Sequence, residues 1–382
     1  MKTLRLKNKK KLGTARHHPW LYSGAVESMD PCQVGDTLAI QSAEGKLVGY
    51  AHRTGGKSIV AKIFAFTDQE LRIDDKFWME KFHRAWTYRK QMGLVKNVNT
   101  DSYRLFYSEG DELPGLTCDI YGSNASVHIG NEGFEALEPL IAKFLKDTVG
   151  VTSIFVKDSQ GSRCLGAGPK DIRFEENGLH LISLVEGGQK TGYFLDQKEN
   201  RLLVSEFSKG KTVLDAFCYL GGFGLNALKG GAKEVHFLDA SKLALHTAER
   251  NVHENFSNAQ YRLEEADCFY YLRKMPDGFF DLIVLDPPAF AKRPEALKQA
   301  ARAYKDINMI ALKKIRSSGF LFTFSCSHHM PRELFRTVVY QAALDAGRSV
   351  RVVKELSQAP DHPANIFHPE GDYLKGLMLY VD

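Results

Sequence analysis

Residues 213–231 read VLDAFCYLGGFGLNALKGG. An apolar run ends at Asp215, glycines 221, 222 and 224 make a turn, and an apolar helical period then closes on two glycines. Glycine pairs of this kind suit a left-handed C-terminal cap, so the stretch predicts strand, turn and helix. The same rhythm continues downstream. EVHFLDA predicts a strand and LALHTAERNVHENF a helix, and AQYRLEEAD and DLIVLDPP predict two further strands. Residues 296–315 predict a long helix, with Leu297, Ala301, Tyr304, Asn308, Leu312 and Ile315 at a spacing of three to four. FLFTFSCS predicts a strand, RELFRTVVYQAALDAG a helix, and SVRVVKEL and LKGLMLYV the last two strands. Strands alternating with helices imply an α/β fold around a doubly wound, mostly parallel sheet.

Upstream the pattern differs. Residues 1 to about 70 carry short β-branched runs broken by Gly35, Gly45, Gly49, Gly55 and Gly56, which predicts a small β domain. A helical period follows over residues 74–92, with Phe77, Phe82, Ala85 and Tyr88 on one broad face beside Trp78 and Trp86. Strand-like pieces near 105–107, 115–121 and 125–129, a helix over 135–146 and a strand at 153–156 make an α+β middle block. Three domains are expected, over 1–72, 73–186 and 187–382, in keeping with a prior of roughly 150 residues per domain.

With 43% hydrophobic and 25% charged residues, the composition is that of a soluble globular protein. No apolar run approaches the ~18–20 residues of a membrane span. The N-terminus is positive but has no apolar core after it, so no export signal is predicted. Cys32, Cys118, Cys164, Cys218, Cys268 and Cys326 are scattered, which fits neither a disulfide framework nor a zinc ribbon, and a reducing cytoplasm is expected. Net charge is +5, and seven Lys or Arg with no acidic residue lie between Lys2 and Arg16, Lys9, Lys10 and Lys11 among them. Such an arm suits a polyanion, most commonly nucleic acid, and equally suits a solvated terminus.

In doubly wound sheets, ligands bind beyond the carboxyl ends of the strands. The turn after Asp215 lacks GxGxxG and a Walker lysine, which argues against a dinucleotide or nucleoside triphosphate site. It resembles motif I of the class I S-adenosylmethionine (AdoMet) methyltransferases, with Asp215, Phe217, Tyr219, Gly221 and Gly222 at the positions that meet the cofactor. The next strand ends at Asp239, where a carboxylate can accept both ribose hydroxyls. The third ends at Asp267-Cys268, the position that caps adenine in that fold. Each carboxylate could instead be a helix N-cap. The fourth strand runs into Asp286-Pro287-Pro288-Ala289-Phe290, where two prolines stop the strand and stiffen the loop. This resembles the [DN]PP[FYW] clamp of nucleic-acid methyltransferases, with Ala289 inserted before the aromatic, and suits a flipped base.

Taken together, GGQKTGYFLDQKENR, LDAFCYLGGFG, LDPPAFAK, FSCSHH and GDYLKGL resemble the RlmI-type 23S ribosomal RNA cytosine methyltransferases along essentially the whole chain. HHPWLYSGAV followed by PCQVGDTLAI resembles that family's PUA domain, an RNA-binding β-barrel. Lys198 stands where the family commonly has arginine, and Cys218 lies inside motif I. The resemblance implies a seven-stranded Rossmann-like methyltransferase sheet, AdoMet as cofactor, and ribosomal RNA as partner. It also implies methylation of cytosine carbon 5, leaves a homodimer open, and involves no membrane and no metal. RNA contacts are expected at Lys9, Lys10, Lys11, Arg16, Pro287, Phe290 and Lys292.

Carbon 5 of cytosine is a poor nucleophile until a thiolate adds to carbon 6. The resemblance places that thiolate at Cys326, with Asp286 opposite it. Cys326 could also be a buried core cysteine, while a metal site with His328 and His329 lacks a spaced partner. The rival functions are an exocyclic-amine methyltransferase, which needs no thiol, and an RNA-binding assembly factor that has lost catalysis.

Overall fold

The computed structural model describes residues 1–8, 17–169, 171–184, 192–291 and 293–382. The chain forms two compact units. Met1–Phe174, Leu184–Leu195 and Pro360–Gly371 make the first, and Glu175–Ser183, Asp196–Ala359 and Asp372–Asp382 the second.

In the first unit, the glycine-punctuated runs become β1 (Lys2–Leu6), β2 (Trp20–Tyr22), β3 (Val26–Met29), β4 (Thr37–Gln41), β5 (Leu47–Arg53) and β6 (Ile59–Phe66). They form one sheet in the order β2-β6-β5-β4-β1-β3. Alternate residues such as Leu4, Leu6, Leu38, Ile40, Ala61 and Ile63 share a core, as the period of two requires. Helix α1 (Asp75–Gln91) starts where Asp74 accepts the Phe77 N–H at 3.1 Å, an N-cap. Its buried stripe is Trp78, Lys81, Phe82, Ala85 and Arg89, not the one expected from apolar residues alone. Lys81 and Arg89 are buried because carboxylates meet them: Glu112 lies 2.8 Å from Lys81, and Asp111 pairs with Arg89.

Strands β7 (Ser102–Tyr107), β8 (Leu116–Tyr121) and β9 (Asn124–Ile129), helix α2 (Glu138–Phe144), then β10 (Ser153–Asp158) and β11 (Gly161–Leu165) follow. The strands form a second sheet, ordered β11-β10-β9-β8-β7, which packs on α1 and α2 through Phe82, Phe106 and Phe144. A hairpin of β12 (Asp171–Glu176) and β13 (Leu179–Leu184) leads to helix α3 (Lys198–Glu206). There the Arg201 guanidinium donates two 2.6 Å bonds to the buried Glu176 carboxylate.

The second unit is built on β14 (Thr212–Ala216), α4 (Gly222–Lys229), β15 (Glu234–Asp239), α5 (Lys242–Asn255), β16 (Tyr261–Glu265), α6 (Cys268–Lys274) and β17 (Phe280–Leu285). It continues through α7 (Leu297–Lys314), β18 (Ile315–Ser325), α8 (Arg332–Ala346), β19 (Val350–Leu356) and β20 (Lys375–Val381). The expected seven-stranded sheet forms, in the order β16-β15-β14-β17-β18-β20-β19. All neighbours are parallel except those of β20. Central strands β14 and β17 are buried almost throughout, because helices cover both faces. Helix α6 was not expected: its seven residues, CFYYLRK, are too few to show a period. No helix among the described residues is long and apolar enough to cross a membrane.

Candidate active site

The sheet grows from β14 outward to β15 and β16, then reverses to β17 on the other side. The crevice of a doubly wound sheet opens at this reversal, beyond the carboxyl ends of β14 and β17. Asp215 pairs in register with Val284, and Ala216 with Leu285, so the GGFG turn and the DPP loop leave the sheet side by side.

The turn after β14 is held in an uncommon shape. Phe217 and Tyr219 have φ of 61° and 51°, and Gly221 has 81°. Left-handed values for two aromatic residues mark a loop that its surroundings over-determine. Gly224 has a packing reason: a Cβ there would lie 2.2 Å from the Phe237 ring. The absent side chain lets α4 approach the sheet. Asp215 is 1% exposed, and its Oδ2 accepts the Gly224 N–H at 2.7 Å. Its Oδ1 is buried with no hydrogen-bond partner among the described residues. Burial pushes the Asp215 carboxyl up to about 7, and the nearby charges of Asp286 and Asp239 push the same way.

Asp239 ends β15 and is half-buried. Its Oδ2 accepts the Tyr219 N–H at 2.9 Å and its Oδ1 the Ser241 N–H at 2.8 Å, so it also ties down the glycine turn. Asp267 is an N-cap, accepting the Tyr270 N–H at 2.9 Å to start α6. That uses one oxygen of the carboxylate. Cys268 points into the hydrophobic core, and burial pushes its thiol up to about 12. Cys218 is buried too, and burial raises its thiol well above the ordinary value, with Asp215 and Asp239 adding to the shift.

The turns after β17 and β18 meet. The Cys326 thiol lies 3.8 Å from the Pro287 carbonyl, to which it donates, and it is half-buried. Asp286 is also half-buried. Phe290 turns back on the protein, its ring 4.7 Å from that of Tyr304 on α7. Ser327 gathers this corner: its hydroxyl accepts the Ala291 N–H at 3.3 Å and lies 3.1 Å from the Tyr304 hydroxyl. Its carbonyl accepts from the Lys375 ammonium at 2.8 Å. Tyr304, Ser327 and Lys375 were not singled out as site residues from the sequence. Lys375 had a signal, since it stands in GDYLKGL at the head of an otherwise apolar strand.

Lys9, Lys10, Lys11, Arg16 and Lys292, with much of GGQKTG, lie outside the described residues. His328 packs its ring 5.3 Å from Tyr373. In the first unit, ligand atoms of His18, His368 and Glu370 lie within 4.8 Å of one another. Yet Nδ1 of His18 accepts the Trp20 N–H at 3.1 Å, which puts the proton of the neutral ring on Nε2, 3.3 Å from Glu370. An Nε2 that donates to a carboxylate has no lone pair to offer a metal, and the trio reads as a structural latch.

A family model described as S-adenosylmethionine-dependent methyltransferase matches residues 154–363, and one described as PUA-like domain matches 4–66. The ribosomal RNA large subunit methyltransferase I of Pseudoalteromonas atlantica is 38% identical over 96% of each chain. That of Aeromonas hydrophila is 39% identical over 95% of each. Among solved structures, one described as a SAM-dependent methyltransferase from Streptococcus mutans superposes with a TM-score of 0.85 at 20% identity, covering all of both chains. A methyltransferase complexed with S-adenosylhomocysteine (SAH) superposes at 0.86 with 21% identity, again over both full chains. These two likenesses concern the fold alone. The identities of 38% and 39% over nearly the whole chain carry the assignment further: the protein belongs to the S-adenosylmethionine-dependent methyltransferases, in the family of ribosomal RNA large subunit methyltransferase I.

Proposed function

We propose that the protein methylates carbon 5 of a cytosine in ribosomal RNA, of the 23S class, through a covalent adduct of Cys326. One observation carries the reading beyond methyl transfer to RNA: the Cys326 thiol lies 3.8 Å from the Pro287 carbonyl, on the loop that would clamp the base. An exocyclic-amine methyltransferase attacks through a nitrogen lone pair and has no use for a thiol there.

AdoMet fits the neighbouring crevice. Its sulfonium is a cation, and the Asp215 carboxyl presents a buried, unpartnered oxygen with Asp239 and Asp286 acting on it. In this reading Asp239 takes the ribose hydroxyls, while Asp267 and the backbone at Cys268 border the adenine. Asp215, Phe217, Tyr219, Gly221 and Gly222 surround the methionine end, with Asp286 at the boundary to the base. When bound, AdoMet supplies an electrophilic methyl group.

The protein's own part is to make carbon 5 nucleophilic. The Cys326 thiolate adds to carbon 6, and the ring's electron pair moves toward carbon 5. Asp286 holds the base and stabilises its protonated ring. After methylation a water from solvent takes the carbon 5 proton, its electron pair re-forms the carbon 5–carbon 6 double bond, and the carbon 6–sulfur bond breaks to release the thiolate. RNA affinity is assigned to the PUA-like part, residues 1–72, with Lys9, Lys10, Lys11 and Arg16. Lys292, Pro287 and Phe290 are assigned to the mouth of the site, residues 73–186 to a middle domain, and 187–382 to methyl transfer.

The test is RNA carrying 5-fluorocytidine at the target, found by bisulfite mapping of ribosomal RNA from a strain lacking the protein. Fluorine cannot leave as a proton does, so an AdoMet-dependent protein–RNA adduct should persist on a denaturing gel and vanish in Cys326→Ala. Methylation of an exocyclic amine without any adduct would overturn the reading.

A further inference from the structure

We propose that Lys375 is the positive partner that holds Cys326 as a thiolate. The inference rests on Cys326 being the nucleophile.

The geometry is that of a cation placed in the protein without a carboxylate of its own. Lys375 opens β20, in register with Ser325 at the end of β18, one residue before Cys326. It is 4% exposed. Its ammonium has three donors. Among the described residues its one hydrogen bond goes to the Ser327 carbonyl, 2.8 Å away, on the residue after Cys326. No carboxylate among the described residues lies within ion-pair distance of it, although buried ammonium groups ordinarily have one. Asp372, an acid that acts on it, is itself engaged by Arg332 at 3.2 Å. That acid and that guanidinium act on Lys375 in opposite directions. The Cys326 sulfur acts on Lys375 in the same direction as Asp372.

Burial lowers the Lys375 ammonium to about 8, against the opposing pull of Asp372 and Cys326. A lysine in that position is still mostly charged at neutral pH, and ionisation of the thiol would charge it further. The other titratable groups described near Cys326 are a carboxyl, a phenol and an imidazole. Asp286 precedes Pro287 on the facing loop, Tyr304 on α7 is a phenol whose ionisation burial opposes, and His328 stacks on Tyr373. Lys375 thus acts through Cys326: it is a positioning residue, polarising the nucleophile and, through the Ser327 carbonyl, fixing the turn that carries it.

The experiment is the pH dependence of alkylation by iodoacetamide, read at each cysteine by peptide mass spectrometry in the full-length protein. Cys164, exposed on β11, serves as the internal reference. In the unmodified sequence the Cys326 midpoint should fall at least about one pH unit below that of Cys164, the low end of what an adjacent opposite charge does. Lys375→Met should raise the Cys326 midpoint by about one unit or more and leave Cys164 unmoved, while Lys375→Arg should keep most of the depression. AdoMet affinity should be the same in all three. A Cys326 midpoint at or above that of Cys164 in the unmodified protein overturns the proposal, even if Lys375→Met fails to fold. So does a midpoint indifferent to Lys375→Met. Failure of the underlying mechanism reads differently: Cys326 would show the depressed midpoint and yet give no adduct with 5-fluorocytidine RNA.

Discussion

The turn after β14 and the turn after β18 each carry a cysteine, and the two thiols sit in opposite surroundings. Cys218 is 6% exposed beside Asp215 and Asp239, and burial and those carboxylates keep it protonated. Cys326 is half-buried at the DPP loop, with the Lys375 ammonium anchored on the next residue's carbonyl. One sheet thus offers an acidic turn, suited to a cationic cofactor, and a turn with a buried cation, suited to an anionic nucleophile. In the proposed function the same residue type is inert at one and usable at the other, because thiol reactivity follows the local charge and solvent access.

Exchanging the cysteines is the strongest way to break this contrast. Cys326→Ala should lower methylation by at least roughly 10³-fold, on the scale by which an activated group contributes, with AdoMet binding intact. Cys218→Ala and Cys268→Ala remove buried sulfur atoms and should cost about 1 kcal/mol of stability while adduct formation persists. Calorimetry with AdoMet, a chemical melt and the 5-fluorocytidine gel measure the three quantities. An adduct that survives Cys326→Ala and disappears in Cys218→Ala would reverse the assignment of the two turns.

The acidic turn was largely legible in the sequence, because strand-end carboxylates and glycines are local signals. Asp239 and Asp286, at the ends of β15 and β17, both act on Asp215 at the end of β14. The glycines are explained by contacts the sequence does not display, above all Gly224 against Phe237. Asp267 is the N-cap of α6, the structural role that its position after a strand also allows. The other turn was legible only in part. Cys326 and the DPP loop are visible, but Lys375 lies 49 positions further on and reaches the site only because β20 inserts antiparallel between β18 and β19. The Lys81 and Arg89 stripe on α1 was hidden for a related reason: apolar periodicity cannot see a cation whose partner lies on a distant loop. Likewise, Pro360–Gly371 belongs with the first unit although it is read near the end of the chain.

Titration sharpens the contrast at slightly smaller scale. The Asp215 carboxyl is raised from 3.8 to about 7 by burial, with Asp286 and Asp239 adding to it. A raised carboxyl favours the folded state while protonated. Its contribution is complete below about pH 4 and is lost as pH rises toward 7, by at most about 4 kcal/mol at ~1.4 kcal/mol per unit. Asp215→Asn should therefore gain on the unmodified protein between pH 5 and pH 8 in urea melts, whereas a Cys326→Ala control should not. A pH-independent difference between Asp215→Asn and the parent would mean that the carboxyl is ionised throughout and that the turn is less desolvated than its burial implies.

Asp239→Ala separates cofactor from RNA. Loss of a charged acceptor for the ribose should weaken AdoMet by roughly 1.5–3 kcal/mol, or about 10- to 150-fold. RNA affinity, which this reading places elsewhere, should hardly move. The same variant also releases the Tyr219 N–H, so binding of SAH should fall by a similar factor. Unchanged AdoMet affinity in a calorimetric titration would remove Asp239 from the site and leave it as a brace for the glycine turn.

The smallest effect concerns the basic arm, which extends the contrast from the site to the substrate. If the acidic turn recruits the cofactor, the polyanion must be recruited by other charges. Two cations of the arm are already engaged: Lys2 pairs with Asp36 at 2.6 Å, and Lys7 donates to the Gly24 carbonyl at 3.3 Å. Of the five other cations, Arg5, Lys9, Lys10, Lys11 and Arg16, the proposed function assigns the footprint to the last four. Replacing Lys9, Lys10 and Lys11 with glutamine should weaken RNA binding and flatten its salt dependence by up to ~0.7 in the log–log slope per lost single-strand phosphate contact. Lys2→Gln, whose charge is spent on Asp36, should leave the slope nearly unchanged. Filter binding across a salt series reads both variants, with AdoMet affinity as the control that neither should alter. Equal slopes for the triple variant and the parent would mean that the arm is solvated in the complex, and that the phosphates are met by the body of the protein.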